Sequence, residues 1–169
     1  MKILYLLRHA KSSWDDPAMA DFDRPLNGRG RRAAPLVAEF MRERGIRPGL
    51  VISSPAARAR QTAELVAGAE GLGVPVKFDG SIYEAHPLDL LKVVRGADES
   101  AAELMLVGHN PGLEGLTERL TGERERLPTA ALVRIELRAD GWPQVEENCG
   151  RLDWVVRPRE LGGDQVGGD

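Results

Sequence analysis

At 169 residues the chain has the length of one domain with one sizeable core. Its 42% apolar and 29% charged residues are those of an ordinary globular protein, and a formal net charge of −3 gives no electrostatic reason to expect a nucleic-acid partner. Cys149 is the only cysteine, which excludes an intramolecular disulfide and points to a reducing compartment.

Lys2 to Leu7 is a short β-rich apolar run and reads as a buried strand, ended at once by Arg8-His9. It is too short for a membrane span of about 20 apolar residues and lacks a small-residue cleavage site, so a cytoplasmic protein without a membrane partner is expected. Residues 12 to 27 are polar, with Pro17, Pro25 and Asn27-Gly28, and predict a long loop. Arg24, Arg29, Arg31 and Arg32 cluster around its end; they read as a solvated helix start, or alternatively as a positive rim for an anionic substrate. Helical spacing of Ala33, Leu36, Val37, Phe40 and Met41 predicts a helix ending near Gly45.

Leu50 to Ile52 then reads as a strand, Ala57 to Val66 as a helix, Val74 to Phe78 as a strand and Leu88 to Val94 as a helix. Glu103 to Val107 predicts another buried strand, followed by a helix from Pro111 to about Leu120. Leu132 to Leu137 and Gln144 to Val156 close the pattern as two strands, the second interrupted near Asn148-Cys149-Gly150. The domain is expected to span 1–161, and the Gly-rich positions 162–169 to form a disordered tail. Strands alternating with helices predict a three-layer α/β/α fold with a mostly parallel central sheet, in which ligands bind outside the carboxyl ends of the strands.

Three of those strand ends carry residues suited to phosphate: Arg8-His9, then Ser53-Ser54-Pro55 leading to Arg58, then Gly108-His109-Asn110-Pro111. Ser54 and Asn110 are preferred N-cap types, and Pro55 and Pro111 fit a first helical position, so free N–H groups would face an anion there. Phosphoryl transfer without a metal needs cations from side chains, and the arginine fork matches phosphate oxygens in pairs. Neutral imidazole supplies a lone pair near neutral pH without a base. Each residue alone also fits a bland role, a structural histidine or a solvent-facing arginine. Two histidines at equivalent strand ends leave the two readings balanced.

Leu7-Arg8-His9-Ala10, Ser53-Ser54-Pro55 with Arg58-Ala59 and Gln61-Thr62-Ala63, and Gly108-His109-Asn110-Pro111 together resemble the histidine phosphatase superfamily. Within it the chain is similar to the small SixA-type phosphohistidine phosphatases, over about Lys2 to Val156. Asp23-Arg24-Pro25-Leu26 with Gly30 resembles the family's loop into the first helix. The resemblance implies a phosphoglycerate mutase-like fold and hydrolysis with no metal or other cofactor. It makes His9 the nucleophile, forming a phosphohistidine intermediate that water hydrolyses. It places Arg8, Arg58 and His109 in the phosphate pocket, with Asn110 counted among the substrate-binding residues. Ala10 stands where glycine is commoner, and a methyl group fits there if φ is negative. Glu84, in Ser81-Ile82-Tyr83-Glu84-Ala85-His86, falls where many members carry the leaving-group acid, and His86 is the alternative donor or substrate contact.

A tyrosine-phosphatase mechanism fails, because Val155 stands where an arginine would have to follow Cys149. Zinc would need convergent ligands from His9, His86 and His109, and Arg8 and Arg58 beside them would repel a cation. No P-loop motif is present. The expected partner is a phosphorylated substrate, either a phosphohistidine protein or a small phosphate ester; a monomer is one reading of the oligomeric state. A non-catalytic phosphoprotein-binding module is the alternative from a different class, and a mutase would need longer capping insertions.

Overall fold

The computed structural model describes residues 1–162. Its sheet has six strands: β1 (Lys2–Arg8), β2 (Leu50–Ser53), β3 (Val76–Phe78), β4 (Glu103–Gly108), β5 (Leu132–Leu137) and β6 (Gly150–Val156). Their order is β3-β2-β4-β1-β5-β6; the first four run parallel, β5 is antiparallel to β1, and β6 is antiparallel to β5. Between them lie α1 (Gly28–Glu43), α2 (Ala57–Val66), α3 (Pro87–Arg95) and α4 (Gly112–Thr121), with a single turn α5 (Arg159–Gly162) at the end. Gly162 closes that turn; positions 163–169, where the sequence reading puts a tail, lie outside the described residues.

The central strands are apolar on both faces because both faces are covered. Side chains alternate across a strand, so Tyr5 and Leu7 point one way and Leu4 and Leu6 the other. Tyr5, Leu7, Val51, Met105 and Val107 pack on Val37 and Met41 of α1 and Ala63 and Val66 of α2. Leu4, Leu6, Leu104 and Leu106 pack on Leu90 and Val94 of α3 and Leu113 and Leu116 of α4. Each fully buried leucine contributes about 1.5–3 kcal/mol of transfer free energy, so the two cores hold the expected three layers together.

Several boundaries differ from the sequence reading, and each for a local reason. The helix expected from Ala33 begins at Gly28, because the Asn27 side chain accepts a hydrogen bond from the Gly30 N–H at 2.9 Å and caps it. Ser54 and Asn110 are not the caps of α2 and α4: those positions fall to Ala56 and Pro111, which make no side-chain cap bond. The final strand starts at Gly150, not Gln144. Trp142–Gln144 forms a 3₁₀ turn, and Asn148 takes a left-handed φ of 60° that breaks extended pairing. Trp142 is buried and donates its indole N–H to the Ala101 carbonyl at 2.9 Å, which ties this turn to the end of the sheet opposite the strand ends of β1 and β4. The long loop is tied at its base by a bridge between Ser12 and Leu26 and contains a 3₁₀ turn over Asp21–Asp23.

Candidate active site

Sheet order decides which strand ends meet. β4 lies between β1 and β2, with Arg8 in register with Gly108 and Ser53 with Val107. The residues that follow are therefore neighbours: the His9 N–H donates to the Gly108 carbonyl at 3.0 Å, and the Ser54 N–H to the Val107 carbonyl at 2.9 Å. All three sequence motifs come together at one end of the sheet. The rings of His9 and His109 pack at a centroid separation of 5.2 Å.

His9 is buried, with 7% of its surface exposed. Its Nδ1 lies 2.7 Å from the Ala10 carbonyl oxygen. A carbonyl only accepts, so Nδ1 carries the proton and the lone pair of the neutral ring is on Nε2. Burial, reinforced by His109, Arg8 and Arg58, pushes the His9 pKa down to about 3 against the pull of the Ala10 carbonyl. The ring is thus neutral and holds one defined tautomer. Ala10 itself is fully buried and is not among the residues with positive φ, so the methyl group is accommodated. Its N–H donates to Thr62 Oγ1 at 2.9 Å, and that hydroxyl donates to the Arg58 carbonyl at 2.7 Å. One α2 residue therefore fixes both the segment after the candidate nucleophile and the turn bearing Arg58.

His109 Nε2 lies 2.8 Å from Ser54 Oγ, and its buried Nδ1 has no hydrogen-bond partner. Burial and the arginines lower the His109 pKa to about 4. Ser54 thus serves the second histidine, while its Oγ also accepts from the Ala56 N–H at 3.2 Å. Arg8 Nη1 donates to the Leu127 carbonyl at 3.0 Å, and Asn110 Nδ2 to the same oxygen at 2.8 Å. The segment after α4 thus braces both residues, Asn110 through its Nδ2, while the buried Asn110 Oδ1 has no hydrogen-bond partner.

Arg58 is buried and points its fork at the long loop. Nη1 donates to the Asp21 carbonyl oxygen at 2.8 Å and Nη2 to Asp21 Oδ2 at 3.1 Å. Asp21 Oδ2 also accepts from the Tyr83 hydroxyl at 2.6 Å, while Oδ1 accepts from Arg24 Nη1 at 2.9 Å. These partners, Tyr83 foremost, lower the Asp21 pKa to about 2, and the same contact raises Tyr83 to about 12. Arg24 is buried, not solvated: it donates to Ser12 Oγ and the Ser13 carbonyl and lies under the Trp14 ring at 3.3 Å. Tyr83 meets His109 edge-on at 5.6 Å. Glu84 and His86, by contrast, stand exposed on the loop before α3, Glu84 at a left-handed φ of 55° and His86 with its backbone N–H donated to Asp89 Oδ2.

Sequence reasoning thus missed Asp21, the Tyr83 hydroxyl and the buried role of Arg24. Only the spacing Asp21-x-x-Arg24 hinted at a paired carboxylate, and a polar loop gives that spacing no periodic context.

A sequence profile of the histidine phosphatase superfamily (branch 1) matches residues 4–91. An uncharacterised protein of Mycobacterium tuberculosis is 31% identical across 90% of this chain and all of its own length. An uncharacterised chloroplastic protein of Arabidopsis thaliana is also 31% identical, over 90% of this chain and 74% of its own. The solved structure of a candidate phosphohistidine phosphatase SixA from Agrobacterium tumefaciens superposes with a TM-score of 0.78 at 31% identity, covering 92% of this chain and 97% of that one. Profile, relatives and superposed fold agree with the motif geometry at the strand ends: the chain belongs to the histidine phosphatase superfamily.

Proposed function

We propose that the chain is a phosphohistidine phosphatase that works through a covalent phosphohistidine on His9. The observation that carries this reading is the state of His9: a buried neutral ring whose Nδ1 proton is committed to the Ala10 carbonyl, leaving Nε2 as the nucleophile. Nε2 attacks phosphorus, the bond to the leaving group breaks, and water then hydrolyses the phosphoryl-imidazole and releases phosphate. Arg8 and Arg58 balance the charge on the phosphoryl oxygens, and the unpartnered His109 Nδ1 is the kind of atom an entering oxygen would satisfy when it carries a proton. Glu84, or His86 in its place, is the candidate leaving-group donor, and both stand exposed on the loop before α3. Support for a protein-borne substrate comes from the SixA-like neighbour and from residues 84–103, which are spent on α3 packed against α4 and not on a cap.

The test is turnover of a phosphohistidine-bearing protein and of an aryl phosphate by the wild type and by His9→Ala. The variant should lose on the order of 10³-fold or more in kcat/KM, and label trapped on the wild type should be acid-labile and base-stable. Equal turnover by the two proteins would remove His9 as nucleophile. Wild-type binding of the phosphoprotein without turnover would favour a binding module.

A further inference from the structure

Asp21 puts a carboxylate on the arginine that should receive phosphate. Arg58 gives two of its donors to this one residue, through the main-chain oxygen and Oδ2, and Tyr83 and Arg24 hold the carboxylate in place from two further sides. The arrangement spans three elements of the fold: the loop before α1, the first turn of α2 and the turn before α3. A dianionic phosphoryl group bound at Arg58 would meet that fixed negative charge, so the pocket is less positive than its arginines alone would make it.

We propose that Asp21 sets the charge selectivity of the site, disfavouring free phosphate and dianionic esters and favouring a phosphoryl group borne on a nitrogen base that brings its own positive charge. The inference rests on the phosphohistidine reading above and names the residue that enforces it. In a phosphoimidazole the ring nitrogen not bound to phosphorus can take a proton, which makes the base cationic. When the P–N bond breaks, its electron pair stays on the departing nitrogen and the ring leaves neutral, still carrying that proton. No protein acid has to supply one. The geometry agrees, because Arg58 is paired with an ionised carboxylate, and that carboxylate accepts from a phenol. Neither is set to protonate an alkoxide, as Asp21 is ionised at neutral pH and the Tyr83 proton is committed to Asp21 Oδ2.

Asp21→Asn removes the charge and keeps the shape and the main-chain oxygen that Arg58 uses. Inorganic phosphate, measured by calorimetric titration, should bind the variant roughly 10-fold tighter than the wild type at low ionic strength, with the gain shrinking in salt. Asp98→Asn is the control: it removes one exposed carboxylate in the turn before β4, at the opposite end of the sheet, and phosphate affinity should stay within about threefold of wild type. In turnover, the ratio of kcat/KM for phosphohistidine protein over aryl phosphate should fall about tenfold in Asp21→Asn. Unchanged or weaker phosphate binding in Asp21→Asn, or an unchanged ratio, overturns the proposal. Phosphate binding is read without turnover, so a wild type inactive on both substrates would sink the phosphatase reading and still leave the charge effect measurable.

Discussion

His9 and His109 share a ring contact, and burial lowers the pKa of each, to about 3 and about 4. That has a consequence for stability as well as for chemistry. Between those values and the ordinary histidine value near 6.5, the unfolded chain binds protons that the folded site refuses, so stability rises with pH across that window. The contribution is complete above about pH 6.5 and is lost as pH falls toward 3–4. Urea unfolding from pH 7 to pH 4.5 should show stability declining by an amount on the order of a few kcal/mol, and His109→Gln should flatten the slope. A wild-type slope no steeper than that of His109→Gln would refute the assignment. Catalysis should keep a neutral His9 down to about pH 4, so an acid limb near 6.5 in kcat/KM would belong to the substrate and not to the nucleophile.

Among the elements, α1 sets how tightly the long loop closes on the strand end of β1. Gly30, in its first turn, lies so close to the Lys11 backbone that a Cβ would stand 2.2 Å from the Lys11 carbonyl oxygen. Only glycine permits this approach, and Lys11 directly follows the Ala10 carbonyl that holds the His9 ring. Gly30→Ala should therefore push helix and loop apart, costing about 1–3 kcal/mol of stability, read as a lower denaturant midpoint, and lowering kcat with little change in KM. Equal loss of both parameters, or none, would argue that this packing does not reach the site. The element boundaries show which local signals can be read from sequence. Ala57–Val66 and Leu132–Leu137 match the periodicity because their apolar spacing is regular and their ends carry turn residues. Ser54 and Pro55 imitate a cap, yet Ser54 is drawn instead to His109, a residue 55 positions away.

For the whole molecule, two cores flank one sheet, and β4 is pinned between β1 and β2. Leu106, fully buried beneath α3 and α4, sits two residues before the strand end that carries His109. Leu106→Ala should cost about 2–5 kcal/mol by thermal or urea unfolding. The His9–His109 neighbourhood rests on backbone register, so kcat/KM in the folded variant should change less than tenfold. Among the described residues no helix is long and apolar enough to cross a membrane.

The sequence by itself determined the alternating elements, the apolar strands and the three motifs at their ends. Each is a local pattern: hydrophobic period, turn residues, or adjacent side chains. It also named His9, Arg8, Arg58 and His109 as candidates, because their resemblance lies in contiguous residues. Only the tertiary structure decided that β4 separates β1 from β2, which brings the two histidines to ring contact. It alone placed Asp21 on Arg58 and Tyr83 on Asp21, and left Glu84 and His86 exposed. Those contacts join residues 37 and 62 positions apart across loops without periodicity, and a loop's side chains find their partners only once the sheet has fixed where its ends stand.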